Sequence, residues 1–154
     1  MKNLLKTAVA ILMLACTLHG AAAQQDRGYW QAAGNSASNI TGDIALSETK
    51  LAINFKNFTI AHIRSLKPEE VSAVFDADVN TAGPGALYKL EIPATQRFLH
   101  KSTLCGEEKT QWMATYSVGK SLRVAFFSGD APPTFTFDAI SNSTALCGTF
   151  TYAR

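Results

Sequence analysis

The chain has 154 residues, is 47% hydrophobic, and carries 14 basic against 12 acidic residues. That length and composition predict one globular domain and exclude collagenous, low-complexity and charge-driven disordered chains. A net charge of +2 with no polybasic run gives no footprint for a nucleic-acid partner.

The first residues have the layout of a signal peptide. Lys2 and Lys6 precede an apolar run, Ala8 to Leu18, and Ala21-Ala22-Ala23 supplies small residues for cleavage. The run is too short to span a bilayer, so no membrane span is expected. Residues 1–23 are therefore predicted to be a leader, and 24–154 a single β-rich domain that is periplasmic or secreted. Two of the 14 basic residues leave with the leader and no acid does, so the remaining chain has twelve of each sign. Met13-Leu14-Ala15-Cys16 resembles the bacterial lipoprotein box, in which Cys16 would carry a lipid anchor. Met stands where that box usually has Leu, and a complete Ala-x-Ala site follows it.

Gly28-Tyr29-Trp30 follows the leader. This Gly-x-Trp resembles the first-strand signature of calycin-type barrels, the lipocalins and the small bacterial protease inhibitors. The resemblance covers three residues. It implies a barrel in which Trp30 plugs one end and a late arginine, Arg123 or Arg154, packs over it. A broader pattern runs from Ile40-Thr41-Gly42-Asp43 through a first Leu-Cys-Gly to the closing Leu146-Cys147-Gly148-Thr149-Phe150-Thr151-Tyr152. It resembles small exported bacterial proteins of no assigned function, and so implies none.

Beyond Trp30, period-two alternation dominates, and that is the signature of strands. Strands are predicted at Ile40–Leu46, through Leu51, Ile53 and Phe55, and through Phe58, Ile60 and His62. Further strands run through Val71, Phe75 and Val79, through Tyr88 to Ile92, and through Trp112, Tyr116 and Val118. Leu122 to Phe126, Phe135 to Phe137, and Phe150 to Tyr152 complete about nine. Ser47-Glu48, Lys56-Asn57 and Gly119-Lys120 read as tight hairpin turns. Gly83-Pro84-Gly85 and Asp130 to Pro133 read as longer loops. Lys67-Pro68-Glu69-Glu70 resembles a single helical turn leading into the Val71 strand. Ala94–Thr103, which lacks alternation, is the better helix candidate. The fold class predicted is all-β: a small antiparallel barrel or sandwich of about eight to nine strands, with one short helix and one disulfide.

With Cys16 removed or lipidated, Cys105 and Cys147 remain, forty-two residues apart. In an exported chain an even pair predicts a disulfide. Closing such a loop contributes roughly 4 kcal/mol in the chain-entropy model. Each cysteine lies between Leu and Gly, which suits two halves of one staple. The absence of a C-x-x-C argues against redox catalysis.

Few residues suggest chemistry. Asp76-Ala77-Asp78-Val79-Asn80 matches the D-x-D-x-N opening of a calcium loop. However, Thr81 stands at the glycine position and Leu87 at the bidentate-glutamate position. A solvent-facing strand row accounts for the same aspartates, so no metal and no cofactor is expected. His62 and His100 cannot complete a zinc set once the cysteines are paired. Glu69-Glu70 and Glu107-Glu108 are neighbours that point apart on a strand. No G-x-S-x-G elbow or phosphate loop appears. Asn39, Asn57 and Asn142 lie in formal glycosylation sequons, which mean little in bacterial export.

The aromatics at positions 55, 58, 75, 88, 112, 116, 126, 135 and 137 are expected to fill the core. Trp30, Phe127 and the loop Gly83-Pro84-Gly85 are the candidates for a binding surface. The leading reading is a non-enzymatic exported protein that binds another protein, as an inhibitor or envelope accessory factor. The alternative is a carrier of a small apolar ligand, with those aromatics lining a cavity. A hydrolase would need a polar cluster that the sequence does not display.

Overall fold

The computed structural model describes residues 25–154. The predicted leader, with Cys16, lies outside the described residues. Eight antiparallel strands follow one another around a closed barrel, each hydrogen-bonded to the next, and β1 closes on β8. They are β1 (Gly28–Ala32), β2 (Ile44–Leu46), β3 (Lys50–Ile53), β4 (Lys56–Leu66), β5 (Gly85–Ile92), β6 (Thr110–Val118), β7 (Ser121–Phe127) and β8 (Leu146–Ala153). Two short α-helices, α1 (Pro68–Phe75) and α2 (Phe137–Ser141), lie between strands. A π-helical turn (Ala37–Thr41) and a 3-10 turn (Leu99–Lys101) complete the elements. No helix among the described residues is long and apolar enough to cross a membrane.

Alternation sorts the strand residues onto two faces, and each face has its own core. Inside the barrel lie Trp30, Leu51, Ile53, Leu90, Met113, Val124, Phe126, Phe150 and Tyr152, all buried. Leu87, Trp112, Ala114, Tyr116 and Phe127 point outward, yet they are buried too. Val71, Val74 and Phe75 of α1, together with Phe135, cover them and form a second core on the outer wall of β5–β7. The Phe126-Phe127 pair puts one ring in each core.

That cover required a helix where alternation predicts a strand. Pro68 sits in the first turn, and the Glu70 carboxylate accepts the Lys67 backbone N–H at 2.9 Å, satisfying an orphan donor. Val71, Val74 and Phe75 then fall on one helical face. Asp76, at φ 53°, ends α1. Ala94–Thr103 behaves in the opposite way. His100 and Lys101 both take positive φ, so only the turn Leu99–Lys101 forms. Phe137 does not continue a strand from Phe135. Thr136 caps α2 by accepting the Ala139 N–H at 3.2 Å, which leaves Phe137 73% exposed. Ile40 falls in the π-helical turn, so β2 starts only at Ile44.

Cys105 and Cys147 form the disulfide, with Cα atoms 4.9 Å apart. It ties the β5–β6 connection to the start of β8. At the barrel end the Arg154 guanidinium lies 4.1 Å over the Trp30 ring. Arg154 also donates to the carbonyls of Arg27 (2.9 Å) and Gln25 (3.1 Å). Arg123 is elsewhere: it donates to the Phe75 carbonyl at the end of α1 and packs over the Phe75 ring.

Candidate binding surface

The three surface candidates read from the sequence do not meet. Trp30 is fully buried inside the barrel, its indole N–H donating to the Asp26 carbonyl at 2.7 Å. Phe127 is fully buried on the outer wall, edge-on to Phe135 at 5.8 Å. Both rings are large apolar groups that the two cores absorb. Gly83-Pro84-Gly85 is packed rather than presented. A Cβ on Gly85 would meet Val71 at 2.7 Å, and one on Gly83 would overlap the Ser117 carbonyl. In the calcium-like stretch, Asp76 caps α1 and Asp78 accepts the Asn80 N–H at 2.8 Å in a local turn. Among the described residues no three His, Cys, Asp or Glu cluster as a metal set would.

One acid is buried. Asp26, just before β1, is 1% exposed. Its Oδ2 accepts hydroxyl hydrogens from Tyr88 (2.8 Å) and Thr115 (2.7 Å), while its Oδ1 has no partner among the described residues. Burial raises the Asp26 pKa above the ordinary carboxylate value, and the two hydroxyl bonds offset part of that rise. Tyr88 is likewise pushed up, by burial first and then by the neighbouring acid.

An exposed apolar surface lies elsewhere. The outer wall of β5–β7 is covered by α1 and Phe135, whereas none of the described residues covers the outer wall of β1–β3. Across it run the cross-strand neighbours Tyr29, Ala45, Ala52 and Asn57. The two alanines are the floor of a trough. On one side is a groove of about 340 Å³ lined by Tyr29, Asp43, Asn54 and Phe55. On the other side is a groove of about 260 Å³ lined by Gly28, Ser47, Lys50 and Asn57. Ala45 and Ala52 line both.

Two aromatics rise beside this floor. Tyr29 is 58% exposed and is held in place, because its hydroxyl donates to Asp43, whose other oxygen accepts the Ala32 N–H at 2.8 Å. That hydrogen bond raises the Tyr29 pKa and lowers that of Asp43. Phe55 is 98% exposed. It forms, with Asn54, the two-residue turn between β3 and β4, and both take positive φ, 48° and 65°. This is the type I′ pattern, which favours Asn followed by Gly. A bulky residue in the second position is strained by about 1 kcal/mol. The alternation Leu51-Ile53-Phe55 hid the site by placing Phe55 inside, and it put the turn at Lys56-Asn57. The available signal was Asn54, a residue that tolerates left-handed backbone.

In comparisons with known proteins, no family model, no curated protein and no solved structure matches the chain.

Proposed function

We propose that this is an exported, non-enzymatic binding protein that acts on another protein through the outer wall of β1–β3, as an inhibitor or envelope accessory factor would. The observation that carries this is Phe55: a fully exposed phenyl ring on a strained turn where glycine would be more stable. Neither the exposure nor the strain serves the fold of the isolated chain. Both suit an aromatic anchor that a partner buries, with Tyr29 beside it as a second ring already fixed by Asp43. The disulfide suits an oxidising compartment. The carrier alternative needs space inside the barrel, and Trp30, Phe126, Phe150 and Tyr152 occupy the interior. Arg154 stacked on Trp30 supports reading the barrel as calycin-type, with Arg154 as the late arginine.

The test compares capture from envelope extract by the wild-type chain, Phe55→Gly and Phe137→Ser. The proposal expects a partner protein retained by the wild type and by Phe137→Ser but lost with Phe55→Gly, whose fold the glycine does not weaken. Identical capture by all three variants would sink it.

A further inference from the structure

In the free chain an aromatic knob and a hollow lie on opposite sides of one alanine pair. Phe55 stands at one end of the trough, and the Gly28–Lys50 groove at the other, with Ala45 and Ala52 between them. We infer that the wall is self-complementary, and that a second copy of this chain covers it as a weak two-fold pair until another protein displaces it. This rests on the reading of the β1–β3 wall as the contact surface and names what occupies it at rest.

A two-fold axis lying in the plane of contact, and crossing the trough over Ala45 and Ala52, exchanges its ends. Each Phe55 then faces the other copy's Gly28–Lys50 groove, and both rings are seated by one operation, as an isologous contact demands. The groove holds about 260 Å³, and a cavity of about 150 Å³ is enough for benzene. Small side chains on the floor let the two sheets approach to the usual face-to-face spacing of about 10 Å.

Charge follows the same exchange. Lys50 is exposed, and the ion pairs among the described residues, Arg64–Glu70 and Lys109–Glu91, do not use it. The axis carries its ammonium to the opposite copy's Tyr29–Phe55 end. There it meets two aromatic faces and the exposed carboxylate of Asp43. Of the twelve residues in the three strands, five are buried in the barrel core, so the wall falls well short of the roughly 20–30 residues a side of a stable interface. The pair is therefore reversible, and a partner with a better-fitting anchor can compete for the wall.

Sedimentation equilibrium of the exported chain, from about 1 µM to about 1 mM, tests the pairing. The expected result is a monomer–dimer equilibrium that Phe55→Gly weakens at least tenfold and that Lys50→Glu also weakens. In an NMR dilution series the amides of residues 28–30, 44–46 and 50–55 should move with concentration. A chain that stays monomeric throughout overturns the pairing, as does a dimer indifferent to Phe55→Gly or one whose shifting amides lie on α2. Partner capture separates the two readings. A monomeric chain that still captures a protein through Phe55 loses only the pairing, whereas a chain that pairs but captures nothing loses only the earlier proposal.

Discussion

Replacing Asp26 with Asn should remove a pH dependence of stability that the wild-type chain carries. The carboxyl is 1% exposed, and its Oδ2 takes both hydroxyl bonds while Oδ1 takes none from the described residues. Arg27 is the charge that helps it ionise, and that is the weakest of the influences acting on it. Burial therefore holds the folded-state pKa above the unfolded value of 3.8. The neutral acid's stabilising contribution is fully present below 3.8 and is lost as pH rises through the folded value. Each pH unit between the two values removes about 1.4 kcal/mol, or about 3–5 °C in Tm for a domain of this size. Asn keeps an acceptor for Tyr88 and Thr115 but cannot ionise. Urea unfolding followed by tryptophan fluorescence, at about pH 3 and about pH 8, measures this. The wild type should lose its advantage over Asp26→Asn between those values. Glu70 and Asp43, whose pKa values are lowered by hydrogen bonds from Arg64 and Tyr29, bias stability the other way. They are common to both proteins and cancel in the difference. Parallel profiles would refute the argument, because they would mean the carboxyl ionises in the fold as easily as in water.

Phe55→Gly should raise stability by about 1 kcal/mol by relieving the left-handed turn, read as a higher urea midpoint with an unchanged slope. Arg154→Ala removes the cation over Trp30 and the donors to the carbonyls of Arg27 and Gln25. It should cost about 1–3 kcal/mol, and hydrogen exchange should quicken first in β1. Cys147→Ser opens the 42-residue loop and should cost about 2–4 kcal/mol, as should reduction of the wild type. An unchanged midpoint in either would mean that the staple adds nothing to the barrel.

Much of the barrel is legible locally. Alternation at Leu51-Ile53, Tyr88–Ile92, Trp112–Val118 and Leu122–Phe126 defines strands and their two faces, because successive side chains on a pleated strand point to opposite sides. The two Leu-Cys-Gly pieces mark a disulfide because the third cysteine, Cys16, falls in the predicted leader. Gly28-x-Trp30 suggested a plug under a late arginine, and Arg154 lies over Trp30. What alternation cannot say is which face is covered. Val71 to Phe75 fits a strand or a helix equally well. It is a helix because Glu70 caps it locally and because Leu87, Trp112 and Tyr116 expose an outer wall that Val71, Val74 and Phe75 can bury. Trp30 and Phe127 looked like surface groups and are core, because each has a face of the barrel to fill.

Phe55 and Asp26 show the same limit from opposite sides. Phe55 continues an apolar alternation, yet β3 and β4 pair Ile53 with Lys56, so the chain reverses at Asn54-Phe55 and turns the ring out to solvent. Asp26 is an acid in a polar stretch, yet β5 and β6 bring Tyr88 and Thr115 to it from 62 and 89 residues away. Periodicity is a property of a few neighbouring residues. Burial depends on segments distant in sequence, and that is why strands and staple were readable from the sequence while the bare wall and the buried acid appeared only in the folded chain.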